Sequence, residues 1–165
     1  MGWWGTVLLA RTPWEPYAPL MVGGVILFHL WGAAERLREI LLILITGSLG
    51  LIMDSLWVHG GVFQYVKPMH PAWLSPPWMV ALWFNFSILP NHSLTYLRGR
   101  YLMAALLGIF GGPLAYYGGM ELELLVFSSK HWWSLSWIAL EWGLAAPLIF
   151  FINDWIRQST DRRTR

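Results

Sequence analysis

Hydrophobic run length constrains this chain more than any other feature. Four stretches, 38–58, 77–97, 101–119 and 132–153, are each apolar over enough residues to cross a bilayer as a helix. The hydrocarbon core sets that ruler at roughly 20 mostly apolar residues, with a range of about 17 to 25. A fifth stretch, 17–31, is shorter but is bounded by Tyr17 and Trp31, aromatic side chains suited to the membrane–water interface. Residues 2–10 make half a span and read as a re-entrant or interfacial stub, or as the remnant of a longer helix. Lipid offers no hydrogen-bond partners to the backbone, so only self-satisfied elements can span it. The expectation is therefore an all-α fold, a polytopic transmembrane helical bundle of five spanning helices plus the N-terminal stub. Residues 1–165 form one transmembrane domain on this reading, with 154–165 as a tail. Composition agrees, since 56% hydrophobic and 12% charged residues are too apolar for an ordinary soluble domain.

Arginine placement orients the layout, because loops rich in Lys and Arg stay cytoplasmic. Arg36, Arg38, Arg98, Arg100, Arg157, Arg162, Arg163 and Arg165 fall on one side, against Arg11, Lys67 and Lys130 on the other. The C-terminus is thus expected in the cytoplasm and the loops after residues 58 and 119 outside it. The net charge of +2 arises from short clusters and gives no basic face, so nucleic acid is not expected as a partner. The absence of cysteine excludes disulfides, thiolate chemistry and Cys-based metal centres. The opening "MGWWGTVLLA" lacks the basic region of a signal peptide and reads as retained. Most of the thirteen tryptophans fall at the expected outer boundary, which an aromatic belt explains without a ligand.

Polar residues inside the apolar runs carry the functional signal. The run "WFNFSILPNHSL" places Asn85, Pro90, Asn91 and His92 within 77–97. Seven residues make nearly two helical turns, so Trp78, Asn85 and His92 are expected on one face. Pro90 lacks an N–H and displaces the carbonyl of Phe86, so a kink directed at protein is expected there. In 38–58, Gly47, Gly50 and Asp54 share a strip on which another backbone can approach closely. In 132–153, Ser134, Trp137, Glu141 and Ala145 form a stripe that ends near Pro147. Ala104, Gly108 and Gly112 give 101–119 a small-xxx-small face beside Pro113, suited to tight helix contact.

An aspartate at the bilayer centre costs about 2.5 to 3.5 kcal/mol on insertion scales, which makes Asp54 and Glu141 candidate functional groups rather than lipid contacts. Asp54 and His92 are the candidate catalytic, acid/base groups. Asn85, Asn91, Glu141 and His29 are candidate binding residues, with the deeper Trp83 and Trp142 as cavity walls. Interhelical hydrogen bonding alone, at about 0.6 kcal/mol per bond, is the competing account. Asp54 lies toward the outer end of its span, whereas His92 and His29 share a depth toward the inner end. Two subsites, or a path between them, fit that spacing better than one compact triad. A zinc site from His29, His92 and a carboxylate is chemically admissible, but no metal-ligand spacing supports it, so no metal is assigned and the cofactor is unknown.

The segments "GLIMDSLW", "PPWMVALWFNFSILPNHSLTYLRGR", "ALLGIFGGPLAYYGG" and "ALEWGLAAPLIFF" resemble the family of short bacterial integral membrane proteins called domain of unknown function 2878. The resemblance covers nearly the whole chain. It implies a multi-pass protein of the bacterial inner membrane, with a full first helix preceding the position of "GWW" and hence six spans in the family pattern, from which this chain departs by starting within that helix. It also implies genes placed near fatty-acid-modifying methyltransferases and flavin oxidoreductases, and it transfers no catalytic residue. Three readings stay open. The chain binds or processes a lipid or other lipophilic molecule at a buried polar site, with membrane lipids as partners. Alternatively it is a non-catalytic subunit or assembly factor with a membrane-protein partner. The third reading is a small proton-coupled carrier acting as a homodimer.

Overall fold

A computed structural model describes residues 2–128 and 130–161. The elements run α1 (Gly2–Ala10), α2 (Ala18–Gly32), α3 (Arg36–His59), β1 (Phe63–Tyr65), α4 (Pro77–Ser87), α5 (Tyr101–Glu121), β2 (Leu125–Phe127) and α6 (His131–Asp161). Three of these helices, α3, α5 and α6, are long and apolar enough to cross a membrane. Large apolar side chains cover the outside as well as the core, and several polar groups are buried. Leu27, Phe28, Leu102, Phe110 and Leu114 are exposed on the helix faces, while Thr46, Asp54, Ser87, Ser134, Glu141 and Asn153 are buried. Large exposed apolar area on helices that bury their few polar and acidic groups belongs to a bundle whose solvent is hydrocarbon. The chain is a helical membrane protein.

Helix α5 packs along α6 as the most extensive pairing, and α4 packs chiefly on α3. Small residues set both approaches. A Cβ at Gly108 would fall on the Trp142 carbonyl and one at Gly112 on the Trp142 ring, so α5 meets α6 at backbone distance. Gly47 and Gly50 likewise leave room on α3 for the Phe84 and Trp83 rings of α4. Ala104 is buried beside Leu97 and Phe150, and Pro113 is carried inside α5. The strands β1 and β2 pair antiparallel, with Phe63 opposite Phe127 and Tyr65 opposite Leu125, and cap one end of the bundle. Arg11–Glu123 and Lys67–Glu15 ion pairs, each at 3.8 Å, lie at this capped end. Arg36, Arg38, Arg98, Arg100 and Arg157 lie at the other.

Two expectations need correction. The stretch 77–97 is not one kinked helix: α4 ends at Ser87 and is followed by 3₁₀ turns at Leu89–Asn91 and Thr95–Leu97. Pro90 supplies no N–H to the Phe86 carbonyl, and the chain satisfies itself locally instead, with the amides of His92 and Leu94 both donating to Leu89 O. His92 therefore does not share a helix face with Trp78 and Asn85. The stretch 154–165 is not a tail from its start, because α6 continues to Asp161. Asp154 accepts from Gly99 N at 3.1 Å and Tyr101 Oη at 3.0 Å, which docks this last part of α6 on the start of α5. Arg162, Arg163 and Arg165 lie outside the described residues. The stub is α1, which packs on α2 and α4.

Candidate functional site

Asp54 sits on the inward strip of α3 with no exposed surface. One carboxylate oxygen accepts from the Tyr116 hydroxyl of α5, and the other accepts from Trp83 Nε1 of α4 at 2.9 Å. Three helices are thereby tied at one point. Trp83 reaches it because Gly50 gives its ring space. The Trp83 ring stacks on Trp142 of α6, with centroids 4.5 Å apart and planes at 16°, and Phe86 meets the edge of the same Trp142 at 5.0 Å. Tyr65 of β1 closes the capped side and shares a 3.0 Å hydrogen bond with Ser75. Burial, and next the Asp54 charge, push the Tyr65 phenol well above its ordinary pKa, so it stays a neutral hydroxyl.

A cavity of about 320 Å³ lies on the other side of this aromatic wall, among α1, α4, α5 and α6. Trp3, Trp78, Trp83, Phe86, Gly111 and Trp142 line it, with Tyr116 and Asn85 as its polar members. Gly111 faces open space there, since a Cβ built on it meets nothing within 4 Å. Asn85 also lies close against Gly2, so α1 and α4 touch at that level. Glu141 is 1% exposed and neither carboxylate oxygen has a hydrogen-bond partner. The Trp57 indole N–H approaches it without reaching hydrogen-bond geometry, and the Trp142 N–H is also unpartnered.

A second polar cluster occupies the arginine-bearing end. His29 Nδ1 lies 2.7 Å from His92 Nε2, and His29 Nε2 lies 3.0 Å from Glu39 Oε2. Asn91 Nδ2 donates to Glu39 Oε1 at 2.8 Å and to Asn153 Oδ1 at 3.0 Å. Arg98 donates through Nη2 to Asn91 Oδ1 at 2.6 Å and through Nε to Pro90 O at 3.2 Å, holding the turn that ends α4. Burial, and next the like charge of Arg157, lower the Arg98 pKa from its ordinary value, against the pull of Asp154 and Glu39. Glu35 pairs with Arg38 nearby.

The structure thus brings Asp54, Trp83 and Trp142 together, and separately His29, Asn91 and His92. It does not bring Asp54 to His92. Asn85 lines the cavity, and Glu141 stands behind its wall. Sequence reasoning missed Tyr116, Glu39, Arg98 and Asn153. Glu39 had a usable signal: Thr46, Gly50 and Asp54 follow it by seven, eleven and fifteen residues, which keeps all four near one face of α3. Tyr116 lies in a glycine-rich run with no polar periodicity, and nothing in the sequence separates it from Tyr117.

A family model described as protein of unknown function (DUF2878) matches residues 1–148. No curated protein and no solved structure matches the chain.

Proposed function

The chain belongs to the DUF2878 family, and from that premise we propose that it binds, or acts on, a lipophilic molecule in the cavity between α1, α4, α5 and α6. The observation that carries this reading is the cavity itself: about 320 Å³ inside a small bundle, walled by tryptophan rings and bared glycine backbone, with a tyrosine–aspartate pair behind one wall. Apolar pockets with few polar groups are the usual form of a small-molecule site, and the cavity here suits an acyl or polycyclic group better than a polar one. Tyr116 and Asp54 supply an acid/base or hydrogen-bonding pair at its edge. In this reading α2 and the α4 unit complete five crossings beside α3, α5 and α6, the arginine-bearing end faces the bacterial cytoplasm, and membrane lipids are the reservoir of the ligand.

Gly111 gives a clean test. A Cβ there meets nothing within 4 Å, so replacing this lining residue with Leu adds bulk to the cavity wall without a clash at its first carbon. The protein purified in mild detergent should carry a stoichiometric lipophilic molecule, detected by mass spectrometry of an organic extract. Gly111→Leu should lose that molecule while keeping the elution volume and helical circular dichroism of the parent. Equal retention by the variant, or an empty parent protein, would reject the reading.

A further inference from the structure

The arginine-bearing end holds a pocket of different chemistry that shares no lining residue with the cavity above. Its hydrogen-bond directions follow from the donor inventory of the side chains. Arginine only donates, so the Asn91 atom facing Arg98 is the amide oxygen, and the Asn91 amide nitrogen faces Glu39 and Asn153. Glu39 then accepts at both oxygens, from Asn91 and from the Nε2–H of His29. A neutral His29 has only Nδ1 left as acceptor, and the Nε2–H of His92 donates to it. The remaining nitrogen of His92, Nδ1, keeps its lone pair. His92 is exposed, and it lines a pocket of about 680 Å³ that also includes Arg98, Arg157 and, from α2, Val25, Phe28 and Trp31.

Two guanidinium groups, Arg98 and Arg157, line this pocket, while its carboxylates already have donors, Glu35 from Arg38 and Glu39 from His29 and Asn91. Paired guanidinium groups on one pocket wall suit an oxyanion, and the exposed apolar face of α2 beside them, with Phe28 and Trp31, suits an attached chain. We propose that this pocket binds the phosphate monoester headgroup of an anionic amphiphile. Arg98 and Arg157 donate to the charged oxygens, and the headgroup and His92 Nδ1 share the one titratable proton of the monoester, either as P–OH donating to nitrogen or as N–H donating to oxygen. The apolar chain runs along α2 past Phe28 and Trp31. A phosphodiester has no such proton and leaves His92 Nδ1 unused, so the site selects monoester over diester. Glu39 and His29 act as positioning residues, fixing which nitrogen His92 presents.

The test uses the full chain in nanodiscs of phosphatidylcholine, titrated with dilauroyl phosphatidic acid, its methyl diester dilauroyl phosphatidylmethanol, or inorganic phosphate. The phosphatidic acid should bind on the order of tenfold tighter than the phosphatidylmethanol, the difference that one charge-assisted hydrogen bond makes. His92→Ala should remove that preference and Arg157→Gln should weaken both lipids, while Asp54→Asn and Gly111→Leu leave the preference intact. Nitrogen-15 spectra of the imidazoles should show both rings protonated at Nε2, and Glu39→Gln should disturb the His92 pattern without loss of helical signal. Equal affinity for the two lipids, an unaltered His92→Ala variant, or a His92 proton resting on Nδ1 would overturn the assignment. Inorganic phosphate binding as tightly as phosphatidic acid would overturn the amphiphile.

Discussion

Two carboxylates on one helix face have opposite surroundings, and the difference lies in what donates to them. Asp54 and Glu39 are fifteen residues apart on α3, about 22 Å along its axis at 1.5 Å per residue. At Asp54 one of the donors is an indole, which can give a hydrogen bond but accept none, so on that side the network stops at Trp83. At Glu39 the donor is an imidazole, which accepts with its second nitrogen, so the network continues through His29 to His92 and out to an open pocket. The first arrangement closes a site by joining helices. The second carries the position of a partly buried acid to a surface group.

The comparison breaks most readily at Asp54. Asp54→Ala leaves the Tyr116 hydroxyl and the Trp83 N–H without an acceptor, at about 1–3 kcal/mol for each buried donor. The thermal midpoint in detergent should fall accordingly, and Asp54→Asn, which keeps one acceptor oxygen, should lose about half as much. A midpoint unchanged in Asp54→Ala would mean that the junction joins nothing. Glu141→Met sharpens the contrast, because both oxygens of this buried acid lack partners. Removing its polar atoms while keeping a similar volume should raise stability by about 1 kcal/mol, and a loss of that size would instead reveal a partner for Glu141. The smallest effect belongs to His92→Ala, which deletes an exposed ring at the end of a network. Its midpoint should stay within about 0.5 kcal/mol of the parent, so that any change in lipid preference is read without a change in fold.

How much of this was legible in the sequence depends on the range of the interaction. The helical bundle follows from run length alone, since lipid leaves the backbone few choices. That Asp54 faces protein follows from the glycines one and two turns before it. The end of α4 was only half legible: Pro90 marks a disturbance, but whether the helix bends or stops depends on Arg98, eight residues later, reaching the Pro90 carbonyl. Glu39 stands in the sequence among arginines, and only its contacts with α2 and the turn after α4 make it part of a site. The β1–β2 pair has three residues per strand, too few for an alternating pattern to stand out from the loops around it.

The early stop of α4 also sets how deep the molecule floats. From Ile88 to Arg100 the backbone is not α-helical, only two short 3₁₀ turns and the links between them, and such backbone is tolerated in lipid only where protein or water covers it. This segment acts as a waterline: in a thicker bilayer the lipid must thin around it, because sinking the turns into oil is the costlier response.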